Sequence, residues 1–153
     1  MVAAAAVALL RLERFNLPHY APGALKGDNV LLITLDTTRA DHLRCYGYGK
    51  ETSPNLDALA ADGVRFDRAI STSAVTPMAH ASIMTGLNPR RHGVRVFYGP
   101  PGHFLEKSKG TLATILKSRG WQTGAFISAY SASERFGLHW GFDVFESEVN
   151  RAV

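Results

Sequence analysis

"NVLLITLD", residues 29–36, joins an uninterrupted apolar run to a single acidic residue. The run at 29–35 is rich in β-branched and aliphatic residues, which is typical of a strand buried on both faces in a parallel sheet covered by helices. Asp36 follows at the carboxyl end of the predicted strand, where α/β sheets bind their ligands. Position alone leaves two interpretations of this carboxylate open, a metal ligand and a turn or helix-cap aspartate opening "DTTRAD".

Helix and strand signals alternate along the rest of the chain. The predicted elements are a helix begun by Ser53 and Pro54 and ended by Gly63, a strand at 64–70, a helix begun at Thr76 and Pro77 and ended by Gly86, a helix capped by Thr111 and ended by Gly120, and a strand at 121–128. Such alternation predicts an α/β domain with a largely parallel sheet, whose ligands bind beyond the carboxyl ends of its strands.

Composition restricts the class of protein. The chain has 153 residues, of which 46% are hydrophobic and 20% charged, enough apolar material for the core of one domain. The net charge of +4 is too diluted along the chain for a nucleic-acid binder. The basic stretch at 88–95 is interpreted as a solvated loop, with positive potential that attracts an anion as the alternative; His92 and Arg95 are interpreted as lying in a surface turn, with a position facing the site as the alternative. One cysteine, Cys45, excludes an internal disulfide and any CxxC motif.

Residues 1–27 form a segment distinct from the domain predicted at 28–153. The apolar run "VAAAAVALL" is too short to span a bilayer, and its arginines follow it instead of preceding it. Three interpretations stay open: a frayed helix, the remnant of an export or anchor segment, and the first core helix. Export or membrane anchoring through this segment is the favoured localisation. Residues 16–28, with two prolines and two glycines, are interpreted as a tether.

Thr76 heads the stretch "TPMAHASIMTG", and its position supports two roles. As an N-cap its hydroxyl would accept a hydrogen bond from a backbone N–H, a contribution of about 1 kcal/mol that requires no catalysis. As a nucleophile it would gain from the positive end of the helix dipole, although only a divalent cation lowers the pKa of such a hydroxyl sufficiently. Spacing alone therefore makes Thr76 a nucleophile only if Asp36 is a metal ligand.

Several long motifs resemble the sulfatase family, within the alkaline-phosphatase-like superfamily, in order and spacing. They are "NVLLITLDTTRADHLRCYGY", "TSPNLDALAADGVRF", "HASIMTGLNPRRHGV", "TLATILKSRGWQTGAF" and "FGLHWGFDVFE". The similarity spans residues 28–146. It implies a three-layer α/β sandwich with a largely parallel sheet, of alkaline-phosphatase-like architecture and incomplete in this chain.

The resemblance also implies roles for individual residues. Asp36 matches the first metal-binding aspartate of the family, and Thr76 aligns with its catalytic nucleophile and would also ligate the metal. His80, one turn later, stands where formylglycine sulfatases have an arginine. It is interpreted either as a contact to the substrate oxyanion or the metal, or as a polar residue on a helix face.

Departures from the family pattern affect the chemistry. Formylglycine sulfatases have a Cys or Ser followed by Pro and Arg at this helix, whereas here Thr76 and the absent arginine imply no formylglycine. The second aspartate of the family is Thr37, which leaves the divalent cation open among Ca, Mn, Zn and Mg. The later Lys and His of the family fall near Ser128 and Tyr130, which cannot replace their charge.

The resemblance predicts a metal-dependent hydrolase that uses Thr76 on sulfate esters, with a small anionic ester as substrate. Two alternatives stay open: a phosphodiesterase, phosphonate hydrolase or phosphotransferase of the same superfamily, and a truncated domain without catalysis. Asp36 and Thr76 are too few ligands for a cation, and the sequence ends at "ESEVNRAV" without the further Asp, Asn or His ligands of the family. We therefore expect a missing C-terminal region or a partner chain to complete the site, and little activity from the isolated chain.

Overall fold

The computed structural model describes residues 27–97, 99 and 101–147. The apolar run and most of the tether predicted in the first 27 residues lie outside this range. The chain divides into two units, Met1–Leu35 and Asp36–Val153. Among the described helices, none has the length and apolar character that crossing a bilayer requires.

The described part of the first unit, residues 27–35, contains neither helix nor strand. The prediction of a buried strand here is wrong for this structure, because the apolar side chains are exposed, with Leu31 84% and Ile33 69% accessible. A strand is defined by hydrogen bonds to a neighbouring strand, and the described residues of this unit provide none.

The second unit begins with two 3-10 turns, Ala40–His42 and Arg44–Tyr46, followed by helix α1, Pro54–Asp62. Ser53 occupies the N-cap position and Gly63 the C-cap, as predicted. The Ser53 hydroxyl donates to the Asp57 carboxylate at 3.2 Å, and the same carboxylate accepts the Cys45 backbone N–H at 2.8 Å. The N-terminal turn of α1 is thereby fastened to the preceding loop.

The prediction of a strand at 64–70 is wrong, because these residues form no strand. Residues 64–66 have no regular structure and a turn follows at 67–68. The Phe66 carbonyl accepts the Tyr46 hydroxyl at 3.1 Å, and Arg65 forms an ion pair with Asp67 at 2.8 Å. Side-chain contacts thus replace a backbone ladder, and Phe66 is 67% exposed instead of half-buried.

Helix α2, Thr76–Thr85, and the short helix α3, Pro89–His92, form the centre of the second unit. Gly86 ends α2 with a left-handed φ of 67°, as its position in the sequence predicts. A buried cluster lies against α2. Its members are Ala81, Val94, Leu105, Ala132, Phe136 and Leu138, and Met78, Phe97, Ile127 and Ala129 pack around them. The helix that carries Thr76 is therefore anchored on the main core of this unit.

The C-terminal part contains a 3-10 turn at Lys107–Lys109, helix α4 at Leu112–Ser118, strand β1 at Gly124–Ile127 and strand β2 at Val144–Ser147. Thr111 caps α4 as predicted, accepting the Thr114 N–H at 3.1 Å. β1 and β2 pair in parallel, with Gly124 opposite Val144. The predicted α/β class with parallel strands is confirmed in this coarse form, although the sheet of the described residues has two strands.

The connection from β1 to β2 passes through the 3-10 turns Tyr130–Ala132 and Glu134–Phe136 and then packs on α4. The Thr111 hydroxyl donates to the Trp140 carbonyl at 2.7 Å, and the Trp140 indole N–H donates to the Leu105 carbonyl at 2.8 Å. Lys117 pairs with Asp143 at 2.6 Å. This lysine, with the N–H and hydroxyl of Thr123, lowers the pKa of Asp143 to about 2.

Candidate active site

Asp36 is exposed and stands at the start of the second unit. Its Oδ1 accepts the backbone N–H of Thr37 at 2.9 Å. Thr37 has a φ of 57°, in the left-handed region that a β-branched residue rarely adopts. The hydrogen bond and the unusual backbone angle together fix the direction of the Asp36 carboxylate.

Thr76 is the first residue of α2, and Val75 occupies the N-cap with φ −107° and ψ 123°. The prediction that Thr76 caps the helix is therefore wrong by one residue, and the Thr76 hydroxyl makes no capping hydrogen bond. It donates instead to Asp36 Oδ2 at 3.1 Å, across forty positions of sequence. The backbone N–H groups of the first helical turn have no acceptors within the helix, so this end of α2 also carries positive potential.

His80 lies one turn into α2 and is half-buried. Its Nδ1 is 3.0 Å from the Thr76 carbonyl oxygen, and since a carbonyl only accepts, Nδ1 carries the proton in this contact. The structure thus brings the His80 ring to the backbone of Thr76. The three predicted site residues Asp36, Thr76 and His80 form a connected group.

Arg39 and Asp41 follow Asp36 in the chain and form an ion pair. Arg39 Nε and Nη2 donate to the two carboxylate oxygens of Asp41 at 3.0 and 2.6 Å, and His42 Nδ1 lies 3.1 Å from the same carboxylate. Hydrogen bonds from Arg39 and then His42 lower the pKa of Asp41 to about 2. All three side chains are more than half exposed, so the pair contributes little to stability and serves mainly to stiffen the loop.

The donors suit a hard divalent cation in kind but not in number. Asp36 and Thr76 supply one carboxylate and one hydroxyl, which are oxygen ligands of the sort that Mg²⁺, Mn²⁺ and Ca²⁺ prefer. Over the described ranges no group of three or more His, Cys, Asp or Glu side chains could hold a metal ion. The described residues therefore do not by themselves supply the three or more ligands that a bound cation needs.

The two residues at the positions of the family's Lys and His do not supply a positive charge. Ser128 is exposed, and the Tyr130 ring packs edge-on against Phe136 with a centroid distance of 5.8 Å. The Arg135 guanidinium carbon lies 5.7 Å from the centre of the same Tyr130 ring. Tyr130 is thus occupied in packing.

His92 lies in the core and not in the surface turn that the sequence predicts. The prediction of a surface turn holds for the exposed Arg95, but His92 is 0% exposed. Its Nε2 lies 3.0 Å from Ser82 Oγ on α2. The sequence does contain a local signal here, because Pro89 begins the short helix α3 and Gly93 ends it. His92 is the last residue of this helix and its one buried residue.

Comparisons with known proteins agree with the motifs. The family model described as Sulfatase matches residues 28–151. The chain is similar to arylsulfatase A of Homo sapiens, 38% identical over 104 residues that cover 63% of this chain and 19% of that protein. It is also 32% identical to the N-acetylgalactosamine-6-O-sulfatase of Bacteroides thetaiotaomicron, over 63% of this chain and 19% of that protein. To the steryl-sulfatase of Mus musculus it is likewise 32% identical, over 84% of this chain and 23% of that protein. No solved structure matches the chain at a significant level. The chain spans about a fifth of the length of these relatives.

Proposed function

The chain belongs to the sulfatase family, and from this membership and the geometry of its site we propose that it is the N-terminal part of a hydrolase of sulfate esters. The nucleophile is the Thr76 hydroxyl. The observation that carries this proposal is the 3.1 Å contact between Thr76 Oγ1 and Asp36 Oδ2, since residues forty positions apart have no local reason to meet. Sulfatase names among the relatives support the reaction class.

In the proposed reaction, Thr76 Oγ1 bonds to the sulfur of the ester as the bond from sulfur to the alcohol oxygen breaks. The Thr76 proton passes along the hydrogen bond to Asp36 Oδ2, and the departing alkoxide takes up a proton from solvent, which leaves a sulfated threonine. Water then bonds to the sulfur as the bond from sulfur to Thr76 Oγ1 breaks; sulfate is released, its water-derived protons go to solvent, and Oγ1 recovers its proton from Asp36. The N–H groups at the start of α2 face the developing negative charge. Asp36 orients the hydroxyl, because its other oxygen is held by the Thr37 N–H.

Asp36 and Thr76 are the two oxygen ligands that this chain would offer to a divalent cation. When bound, such an ion lowers the pKa of the hydroxyl and neutralises the charge of the transferring group. We propose that its other ligands come from polypeptide beyond the described residues, either a further region of the same protein or a partner chain. Exposed apolar side chains support this proposal, because Ile70 is 89% and Phe126 81% accessible, and surface of this kind favours a covering partner.

Phosphoester chemistry is the second candidate, and one observation favours it. The residue at the head of α2 is a threonine, followed by Pro77 and Met78, so the Cys or Ser from which formylglycine is made is absent. An unmodified hydroxyl that leads to a phosphorylated or sulfated threonine suits hydrolysis of phosphodiesters or phosphonates as well as sulfate esters. The substrate of either reaction is a small anionic ester.

We also propose that residues 1–27 serve in export or membrane anchoring.

The complete gene product that contains this sequence should be assayed on an aryl sulfate and a bis-aryl phosphate with Mn²⁺, Zn²⁺, Ca²⁺ or Mg²⁺. We expect hydrolysis of at least one ester, and we expect Thr76→Ala to lower kcat/KM at least about 10³-fold, because the nucleophile is lost. Thr85→Ala removes a hydroxyl from the far end of the same helix, where it donates to the Ala81 carbonyl, and should leave kcat/KM unchanged.

The pattern of activities separates the candidates. Preference for the sulfate or the phosphate ester decides between the two reactions. If the complete protein hydrolysed neither ester with any cation, the catalytic proposal would be wrong and the domain would serve binding or assembly. Full activity of Thr76→Ala would refute the assignment of the nucleophile.

A further inference from the structure

His92 is a fully buried titratable residue that the proposed reaction does not use. It is the last residue of α3, and its ring lies against α2, the helix that carries Thr76. Val94, two residues later, is also 0% exposed, so two side chains of this turn enter the core. Burial of a histidine requires that both ring nitrogens have partners.

The hydrogen bonds of His92 fix which nitrogen is protonated. The Val94 backbone N–H donates to Nδ1 at 3.1 Å, so Nδ1 is an acceptor and carries no proton. In the neutral ring the proton is then on Nε2, which donates to Ser82 Oγ at 3.0 Å. The imidazole therefore links the turn after α3 to the middle of α2.

Ser82 completes the network with its full hydrogen-bonding capacity. Its hydroxyl donates to the Met78 carbonyl at 3.0 Å and accepts the Thr72 hydroxyl at 2.7 Å, in addition to the proton from His92. One donor and two acceptor positions are all that a serine hydroxyl has. Met78 lies in the first turn of α2 and Thr72 in the segment leading into it, so the network ties both to His92.

We propose that neutral His92 is a positioning residue that, through Ser82, holds the first turn of α2 and with it the hydroxyl of Thr76. The link to catalysis rests on the proposed function, whereas the fastening of the helix does not. Ala81, next to Ser82, is 0% exposed in the core, so α2 is packed on one side by apolar contacts and fixed on another by this polar network. The predicted effect is a fixed rotation of the helix about its axis, which points Thr76 at Asp36.

Protonation of His92 would release this contact. A second proton, on Nδ1, would point at the Val94 N–H, so that two hydrogen-bond donors would face each other. The imidazolium charge would also be buried, which is unfavourable. Burial is the main cause that lowers the pKa of His92 from its ordinary 6.5. The Met78 carbonyl raises this pKa by a smaller amount, and the charge of the Lys109 ammonium group lowers it further. The unfolded chain therefore binds more protons than the folded one, and stability falls as the pH drops below about 6.5 towards the lowered value.

Two substitutions separate the two hydrogen bonds of the ring. His92→Gln places an amide nitrogen where Nε2 lies and keeps the donation to Ser82, whereas His92→Asn places an oxygen near Nδ1 and keeps only the local bond from the Val94 N–H. Amide hydrogen exchange of the 153-residue chain would measure the protection of Thr76–Thr85. We expect His92→Asn to accelerate exchange in this helix about tenfold, and His92→Gln to preserve its protection.

Nitrogen-15 NMR of the imidazole tests the protonation state directly. The proposal predicts the Nε2–H form at neutral pH, and loss of α2 protection as the ring titrates in acid; the Gln variant should lack this acid-dependent loss. A Nδ1–H ring, or equal protection of α2 in the Asn and Gln variants, would overturn the proposal.

In the complete gene product, His92→Asn should lower kcat more than it changes KM. Inactivity on every ester would refute the proposed function alone, since exchange and NMR need no turnover.

Discussion

Thr37 shows how one residue can shape the candidate site. Its φ of 57° costs a residue with a β-carbon about 1–2 kcal/mol, and the cost is greatest for a β-branched side chain. The same conformation points its N–H at Asp36 Oδ1. We interpret the strain as the cost of orienting the Asp36 carboxylate towards Thr76.

Thr37→Gly should therefore raise the free energy of unfolding by up to about 1 kcal/mol, because relief of the left-handed strain exceeds the added chain entropy of glycine. Urea denaturation of the 153-residue chain measures this change. Thr38→Gly is the matched control, since Thr38 has no positive φ and its glycine variant should only lose stability. Destabilisation of both variants to the same extent would show that Thr37 is not strained.

At the residue scale the sequence was informative about partners and less so about caps. The chemistry of Asp36 and Thr76 suggested a shared site, and their side chains do meet. The cap was misassigned because Thr76 and Val75 are adjacent and the signal from Pro77 fits helices beginning at either residue. The burial of His92 is not predictable from the sequence, because a polar residue within a basic stretch is normally exposed to solvent.

Among the elements, the close approach of the loop before β2 to α4 depends on glycine. Gly141 has a φ of 95°, and a β-carbon there would lie 2.7 Å from Thr114 Cγ2 and 2.8 Å from the Ala113 carbonyl carbon. The adjacent Trp140 carbonyl accepts the Thr111 hydroxyl that caps the same helix. The Thr111 cap and Gly141 thus hold the same loop against the first turn of α4.

Gly141→Ala should lower the free energy of unfolding by about 2–5 kcal/mol, because it adds overpacking to an unfavourable backbone angle. Gly120→Ala is the control, since its φ of 88° is similar and a β-carbon would meet nothing within 4 Å. It should lose only about 1–2 kcal/mol. Thermal or urea unfolding of the two variants gives the comparison, and equal losses would contradict the packing of this loop on α4.

Helices were predicted well and strands poorly, for a physical reason. Helices α1, α2 and α4 are marked by local signals, namely Ser53, Pro77, Thr111 and the glycines that end them. A strand depends on a neighbour that may be distant in sequence. Segment 121–128 has such a neighbour in β2, whereas 29–35 and 64–70 have no strand partner among the described residues.

For the whole molecule, the family's architecture is present only in outline. One parallel pair of strands and the helices around the buried cluster of α2 are consistent with an alkaline-phosphatase-like α/β fold. The chain covers about a fifth of the length of these relatives, and the sheet of its described residues has two strands. We infer that the beginning of this unit and the beginning of α2 already form the reactive part of the proposed site.

The most direct test of this claim is a double-mutant cycle on kcat/KM of the complete gene product, with Asp36→Ala, Thr76→Ala and both together. If the two side chains act as a unit, either single substitution removes most of the activity and the double variant is hardly worse, which leaves a coupling of at least about tenfold. If the losses multiply as for independent sites, or if either single variant keeps full activity, Asp36 and Thr76 do not form one catalytic site.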